Sequence, residues 1–311
     1  MRILITGGAG FIGSHVADAA IAAGHQVLIL DDLSSGKRAN VPAAAELVVA
    51  DIRDGAAVDA AFERFKPDAV SHQAAQVSVA ISTREPILDA QVNLMGTLNV
   101  LEAAVKHGAR HVVFASTGGA VYGEVEEGRR AAVGDPERPL SPYACSKRAV
   151  ELYLARYRHE HGLKSTVLRY ANVYGPRQDP HGEAGVVAIF SERLMAGQPV
   201  SVFARTTEGD DGCVRDYVFV GDVVKANLRA LSGEIAAETV NVATGEATTT
   251  LQLAQTIARA TGADVAGIGR GPRRIGDVER SVLTPSPEAT GAAPTTLEAG
   301  IAETIAWFRA R

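Results

Sequence analysis

The sequence predicts an α/β chain built on a doubly wound parallel sheet, with a smaller lobe toward the C-terminus. Three observations carry that prediction. Short, continuous apolar runs alternate with helical periodicity as far as Tyr170. A glycine loop, Thr6-Gly7-Gly8-Ala9-Gly10-Phe11-Ile12-Gly13, stands between the first apolar run and the first helical stretch. Beyond Tyr170 the segments turn irregular and richer in Gly and Pro.

Taken in order, Arg2 to Thr6 is the first strand, and a helix follows from Ile12 to Ala23, closed by Gly24. His25 to Asp31 is the second strand, Leu47 to Asp51 the third, and Ala69 to His72 the fourth, after a helix that Pro67 closes. Asn93 to His107 is helical with Gly108 behind it, and His111 to Ser116 is the fifth strand. A long helix from Tyr143 to His161 ends at Gly162, and Ser165 to Tyr170 is the sixth strand. Residues 1–170 therefore read as a Rossmann-type dinucleotide-binding domain. Residues 171–311 read as a substrate-binding lobe, with some later segments expected to return to the sheet. Residues 284–296, rich in Pro, Thr and Ala, read as a surface excursion, and Leu297 to Arg309 as the closing helix.

Composition excludes several classes. The 311 residues are 46% hydrophobic and 22% charged, as in ordinary globular proteins, and a net charge of −5 gives no reason to expect nucleic acid. No apolar run approaches the ~18 residues that a membrane span needs, and no secretory pattern opens the chain. Cys145 and Cys213 form neither a ligand motif nor a disulfide framework. The expectation is a cytoplasmic protein with reduced thiols and no metal. Cys145 reads as a packed thiol, His159 and His161 as solvated, His181 and Glu183 as loop residues, and residues 124–138 as a solvated loop.

The glycine loop has the strand–turn–helix context of a dinucleotide cradle. Glycine allows close backbone approach to a pyrophosphate, and the helix N-terminus offers unpaired N–H groups to it. Gly7, Gly10, Phe11, Ile12 and Gly13 line this site. Asp31, about 20 residues on at the tip of the second strand, suits the adenosine ribose hydroxyls, which favours NAD over NADP. Lys37 and Arg38 pull the other way. Asp32 adjoins Asp31 in the loop. Asp51, with Ile52, either faces the adenine or caps the next helix.

Tyr143 and Lys147 stand four apart, on one face of a helix. A phenol is a poor base at neutral pH, and a nearby ammonium favours the phenolate. Tyr143 can then exchange a proton with a substrate hydroxyl while hydride moves to or from NAD. A hydroxyl at the end of the fifth strand, Ser116 or Thr117, can hold the reacting oxygen.

With the cradle, the Tyr-x-x-x-Lys pair, His72-Gln73-Ala74-Ala75, Asn93-Leu94-Met95-Gly96-Thr97, Val121-Tyr122-Gly123, Leu168-Arg169-Tyr170-Ala171-Asn172-Val173-Tyr174-Gly175-Pro176, Val214-Arg215-Asp216-Tyr217-Val218 and Arg274-Ile275-Gly276-Asp277, the chain resembles the extended short-chain dehydrogenases/reductases, specifically the UDP-glucose (galactose) 4-epimerase group. The resemblance implies NAD-dependent epimerisation of UDP-sugars at carbon 4 through a transient 4-keto intermediate. It implies Tyr143 as base, Lys147 as its partner and Thr117 as the catalytic hydroxyl. Ala74, Ala75, Asn93 and Tyr170 would line the NAD site, and Asn172, Arg215, Arg274 and Asp277 would hold the UDP part. Ser281 would wall the pocket beside the sugar's carbon 2, where a small residue leaves room for N-acetyl sugars. A homodimer is implied through helices near residues 90–106 and 143–160, with Val92, Met95, Val100, Leu152 and Leu154 as apolar candidates.

Two departures accompany the resemblance. The stretch from Ser116 to Ala120 is one residue longer than is usual, and residues 284–296 lack the usual aromatic turn. The alternatives are another nucleotide-sugar enzyme of the same group, such as a UDP-glucuronate 4-epimerase, a dehydratase or a reductase, or an NAD-binding sensor without catalysis. Dehydration lacks its acid, because Gly118-Gly119 follow the catalytic hydroxyl.

Overall fold

The structure, a computed structural model, describes residues 1–181, 185–273, 278–291 and 293–311. The chain divides into two compact units. The first comprises residues 1–117, 139–169 and 224–240, and the second residues 118–138, 170–223 and 241–311.

The first unit carries the seven-stranded sheet. Its strands are β1 (Arg2–Thr6), β2 (Gln26–Asp31), β3 (Glu46–Val49), β4 (Ala69–His72), β5 (His111–Thr117) and β6 (Lys164–Tyr170), with Thr239–Val242 as the seventh. The spatial order is seventh-β6-β5-β4-β1-β2-β3. Strand order thus reverses between β1 and β4, the crevice where such sheets hold ligands. β1 pairs in parallel with β2 and β4, as β2 does with β3 and β4 with β5. The amides of Val167 and Ala171 reach the carbonyls of Glu238 and Val242 in ascending register, so the seventh strand is parallel too. Ile3, Leu4, Ile5, Leu28, Ile29 and Leu30 are all fully buried, as expected for strands covered on both faces.

Local chemistry sets the helix ends. Helix α1 (Phe11–Ala22) starts at Gly10, which offers no side-chain cap. Helix α2 (Gly55–Phe65) starts at Asp54, whose carboxylate accepts the N–H groups of Ala56 and Ala57. Asp54 therefore takes the capping role considered for Asp51, which instead binds Arg53 at 2.5 Å. The helix expected from Asn93 is longer and irregular. Pro86–Ala90 leads into a π-helical stretch, Gln91–Gly96, before the α-helix Thr97–Lys106. The helix Pro142–His161 is set by Ser141, whose hydroxyl accepts the Ala144 N–H, by Pro142 in the first turn and by left-handed Gly162 behind it. Tyr143 thereby falls in the first turn.

The second unit is a set of short sheets. Val214–Arg215 lies between Thr248–Thr249 and Arg280–Ser281, Asn172–Tyr174 pairs with Tyr217–Phe219, and Ser201–Phe203 with Gly269–Gly271. Fully buried Asp216 ties them: its carboxylate accepts from Thr244 N–H and Oγ1, from Gly245 N–H at 2.9 Å and from Leu283 N–H.

Three sequence expectations are corrected. Within 284–296, Pro287–Thr290 is a helical turn with Ala289 and Thr290 buried, so the described part of this segment is no simple surface excursion. Residues 124–138 are not wholly solvated: Val125 and Ala131 are buried, and the carbonyls of Val125, Glu126 and Arg129 accept from the buried Arg280 guanidinium. Cys145 is exposed rather than packed, because the helix turns it away from Ser146 and Lys147.

Candidate active site

The cradle is made of backbone. Gly7 has φ +67, and a Cβ there would lie 2.6 Å from the Ala74 nitrogen. A Cβ on Gly13 would lie 2.2 Å from the Gly7 carbonyl oxygen. The turn therefore closes as tightly as a chain can, with the Gly10 N–H on the Gly7 carbonyl. The first helical bond runs from Ser14 N–H to Gly10 O, so the N–H groups of Phe11, Ile12 and Gly13 find no acceptor among the described residues. Uncapped donors at the positive end of a helix, beside a turn that admits no side chain, fit a dinucleotide pyrophosphate.

Asp31 closes the other side. Its carboxylate accepts the Ala9 N–H at 2.9 Å and the Leu33 N–H at 2.8 Å. Burial pushes its pKa up, and the two amides partly oppose that. It so joins the glycine loop to the loop after β2, with lone pairs left for ribose hydroxyls. Asp32 accepts from Ser34 and is exposed. Ile52 is buried, and its carbonyl takes a bond from the Asn99 side chain.

The floor of the cradle is a buried hydrogen-bond relay. The Ala74 N–H donates to Thr6 Oγ1, which lies 2.6 Å from His72 Nδ1. His72 Nε2 lies 2.8 Å from Thr97 Oγ1, and that hydroxyl donates to the Asn93 carbonyl. One direction satisfies every group: Nε2 carries the proton and Nδ1 accepts. Burial, with the Lys147 charge adding to it, holds the His72 pKa down to about 3, so the ring is neutral. The Asn93 side chain is itself engaged, accepting the Gln76 N–H and donating to the Gln76 carbonyl and to Asp89. Asn93 thus fixes the segment carrying Ala74 and Ala75. His72 and Asp89 carry no spacing signature in the sequence, because their partners come from distant segments.

Lys147 is 3% exposed, and its ammonium donates to the Ala115 carbonyl at 2.9 Å, 4.8 Å from the centre of the Phe114 ring and 5.9 Å from that of Tyr143. Burial lowers its pKa to about 8, against the raising influence of Asp89 and Glu151. At neutral pH it is a cation set beside the Tyr143 ring. The two candidate hydroxyls differ. Ser116 Oγ donates to Glu151 Oε1 at 2.6 Å, inside a buried ion pair in which Arg169 grips Glu151 with Nε at 3.1 Å and Nη2 at 2.5 Å. The Thr117 hydroxyl has no partner among the described residues. Tyr143, Lys147 and Thr117 all belong to the first unit.

In the second unit, Tyr170 is buried at the end of β6, and Asn172 donates from Nδ2 to the Asp216 carbonyl. Arg215 rests its guanidinium on the carbonyls of Val214 and Val278, and stands in register with Ser281. Ser281 is 1% exposed, more enclosed than a residue walling an open pocket was expected to be. Arg274, Asp277 and Glu183 lie outside the described residues. Among the described residues no cluster of His, Cys, Asp or Glu could hold a metal, and no helix is long and apolar enough to cross a membrane.

A cradle for a dinucleotide joined to a phenol–ammonium pair is a site for reversible hydride transfer, and the chain belongs to the NAD dependent epimerase/dehydratase family, whose model matches residues 3–243. It is similar to a UDP-glucose 4-epimerase of Mycolicibacterium smegmatis, 46% identical over 99% of either chain. Among solved structures it resembles the UDP-glucose 4-epimerase of Thermus thermophilus in complex with NAD, at 52% identity and a TM-score of 0.94 over 99% of both chains. It also resembles the Thermotoga maritima UDP-glucose 4-epimerase with UDP-glucose, at 46% identity and a TM-score of 0.93, covering 100% of this chain and 99% of that one.

Proposed function

We propose that this chain is a UDP-glucose 4-epimerase, inverting carbon 4 of UDP-glucose and UDP-galactose with NAD as a resident cofactor. The observation that carries the reading is the buried Lys147 ammonium, held on the strand that ends in Thr117 and set beside the Tyr143 ring, in a chain 52% identical to an NAD-bound enzyme of that activity. NAD, when bound, supplies the acceptor and the returning donor of the hydride. Gly7, Gly10, Phe11, Ile12, Gly13 and Asp31 hold it. Tyr143 takes the proton from the carbon-4 hydroxyl and gives it back, and the Lys147 charge favours the phenolate that does so. Thr117 rather than Ser116 binds the reacting oxygen, because Glu151 already holds the Ser116 hydroxyl. Asn172 and Arg215, with Arg274 and Asp277, hold the UDP part, and a guanidinium fork suits a diphosphate. The N-acetyl sugars belong to the same reading through the small side chain of Ser281.

The protein works as a homodimer in the cytoplasm. Met95, Leu152 and Tyr153 are large, apolar and exposed on the two helical segments expected to pair, and Ile87 is exposed on the adjoining Pro86–Ala90, whereas Val100 and Leu154 are buried in the protein's own core and Val92 is half-buried against it. Incubation of the purified protein with UDP-galactose, read by NMR of the anomeric protons, tests the activity: UDP-glucose should appear until the two sugars reach equilibrium. Absence of turnover by protein that retains NAD would defeat the reading.

A further inference from the structure

We propose that Asp89 is a positioning residue for this reaction: a fully buried carboxylate that joins the segment packed on the cofactor loop to the helix carrying the base, and that gives the Lys147 ammonium a countercharge without touching it. The inference rests on the function proposed above. Asp89 lies on Pro86–Ala90 and is 0% exposed. Its Oδ1 accepts from Gln76 Nε2 and Asn93 Nδ2, each at 2.9 Å, and its Oδ2 accepts from Ser146 Oγ at 2.6 Å. Toward the cofactor, Gln76 and Asn93 hold the segment whose Ala74 occupies the space a Gly7 side chain would need. Toward the base, Ser146 is the neighbour of Lys147 in sequence.

The charges around Lys147 single out Asp89. From its own helix come Tyr143 and Glu151, from β4 the neutral His72, and from β5 the Ala115 carbonyl and the Phe114 ring. Glu151 is already paired with Arg169, and its Oε2 also accepts from Arg148 Nη1 at 3.1 Å. All three donors to Asp89 are uncharged, and no cation pairs with it directly among the described residues. A carboxylate withdrawn from water without a cation is costly, and so is a lone buried ammonium. Asp89 and Lys147 offset one another across Ser146.

The test is the pH profile of kcat for UDP-galactose, from pH 6 to 10, on the NAD-loaded protein. Asp89→Asn keeps the size and can keep all three hydrogen bonds, with its amide donating to Ser146. Asp89→Ser is the second neutral variant, leaving room for water. Either should retain NAD and a KM within about two-fold, while its alkaline limb moves about one pH unit lower, since one opposite charge near an ammonium is removed. Asp89→Glu, which restores the charge, should keep the wild-type limb. An unmoved limb in a folded neutral variant, or the same shift in Asp89→Glu, overturns the proposal. If neither neutral variant folds, Asp89 is structural and the proposal fails. Failure of the proposed function would show separately, as absent wild-type turnover.

Discussion

The cofactor cradle at the end of β1 and the base site at the end of β5 stand in the same sheet, yet are built from opposite materials. The cradle excludes side chains: Gly7 and Gly13 leave no room for one, and the N–H groups of Phe11, Ile12 and Gly13 have no acceptor among the described residues. The base site depends on side chains with buried charge, Lys147, Glu151, Arg169 and Asp89. The first should fail when volume is added, the second when an oxygen or a charge is removed at constant volume.

The strongest test of that contrast is Tyr143→Phe, which takes one oxygen from the base site and leaves the ring in place. We expect kcat to fall about 10³-fold with NAD retained, from the size of general-base effects; stopped-flow or steady-state turnover measures it, and near-normal rates would mean another base. Thr117→Val should lower kcat about 10²-fold. Ser116→Ala should leave kcat within a few-fold and instead lower stability by about 1–2 kcal/mol, as Glu151 loses a donor. The reverse pattern in the two variants would move the catalytic hydroxyl to Ser116. In the cradle, Gly7→Ala adds one methyl group at a left-handed position, at a cost of about 1–2 kcal/mol before the clash with Ala74 is counted. NAD retention after gel filtration should drop at least about ten-fold, and full retention would contradict a cradle made by backbone alone.

A smaller effect is the acid sensitivity of the relay beneath the cradle. His72 is held down to about 3 and His111 to about 4, both by burial first. The unfolded chain binds protons near pH 6.5 that these native rings refuse. Stability contributed by their burial is therefore complete above that pH and is lost as pH falls from 6.5 toward 3. Between pH 6.5 and 5, His72 alone accounts for about 2 kcal/mol. Urea midpoints across that range should fall, and less steeply in His72→Gln. The smallest expected change is in sugar choice. Ser281→Tyr should lower kcat/KM for the N-acetyl pair relative to the glucose pair by about ten-fold if Ser281 faces carbon 2. An unchanged ratio, which its 1% exposure would explain, removes it from that role.

The same contrast explains what the sequence could be made to tell. β1, β4 and the helix ending at His161 stand where the apolar runs and the terminal glycine put them. The strand–turn–helix of the glycine loop is legible because its physics is local: a strand, a tight turn and a helix start lie within a dozen residues. Ser116 and Thr117 could not be separated, because what distinguishes them is Glu151, 35 residues further on. Asp89, His72 and Ser146 act through contacts between distant segments, and no periodicity marks them. The π-helical stretch Gln91–Gly96 has no mark in the sequence, because a single wide turn inside a helix leaves the apolar periodicity around it nearly unchanged.

The interleaving of the two units bears on how the chain is made. The sheet of the first unit takes its seventh strand from Thr239–Val242, and residues 224–240 belong to that unit. During synthesis from the N-terminus the first unit cannot finish until about three quarters of the chain has left the ribosome. Until then the free edge of β6, a strand buried on both faces in the finished protein, is open to any other strand. The hours after induction, not the lifetime of the native enzyme, are when this protein should be most dependent on chaperones, and slower expression at low temperature is the condition that favours its yield.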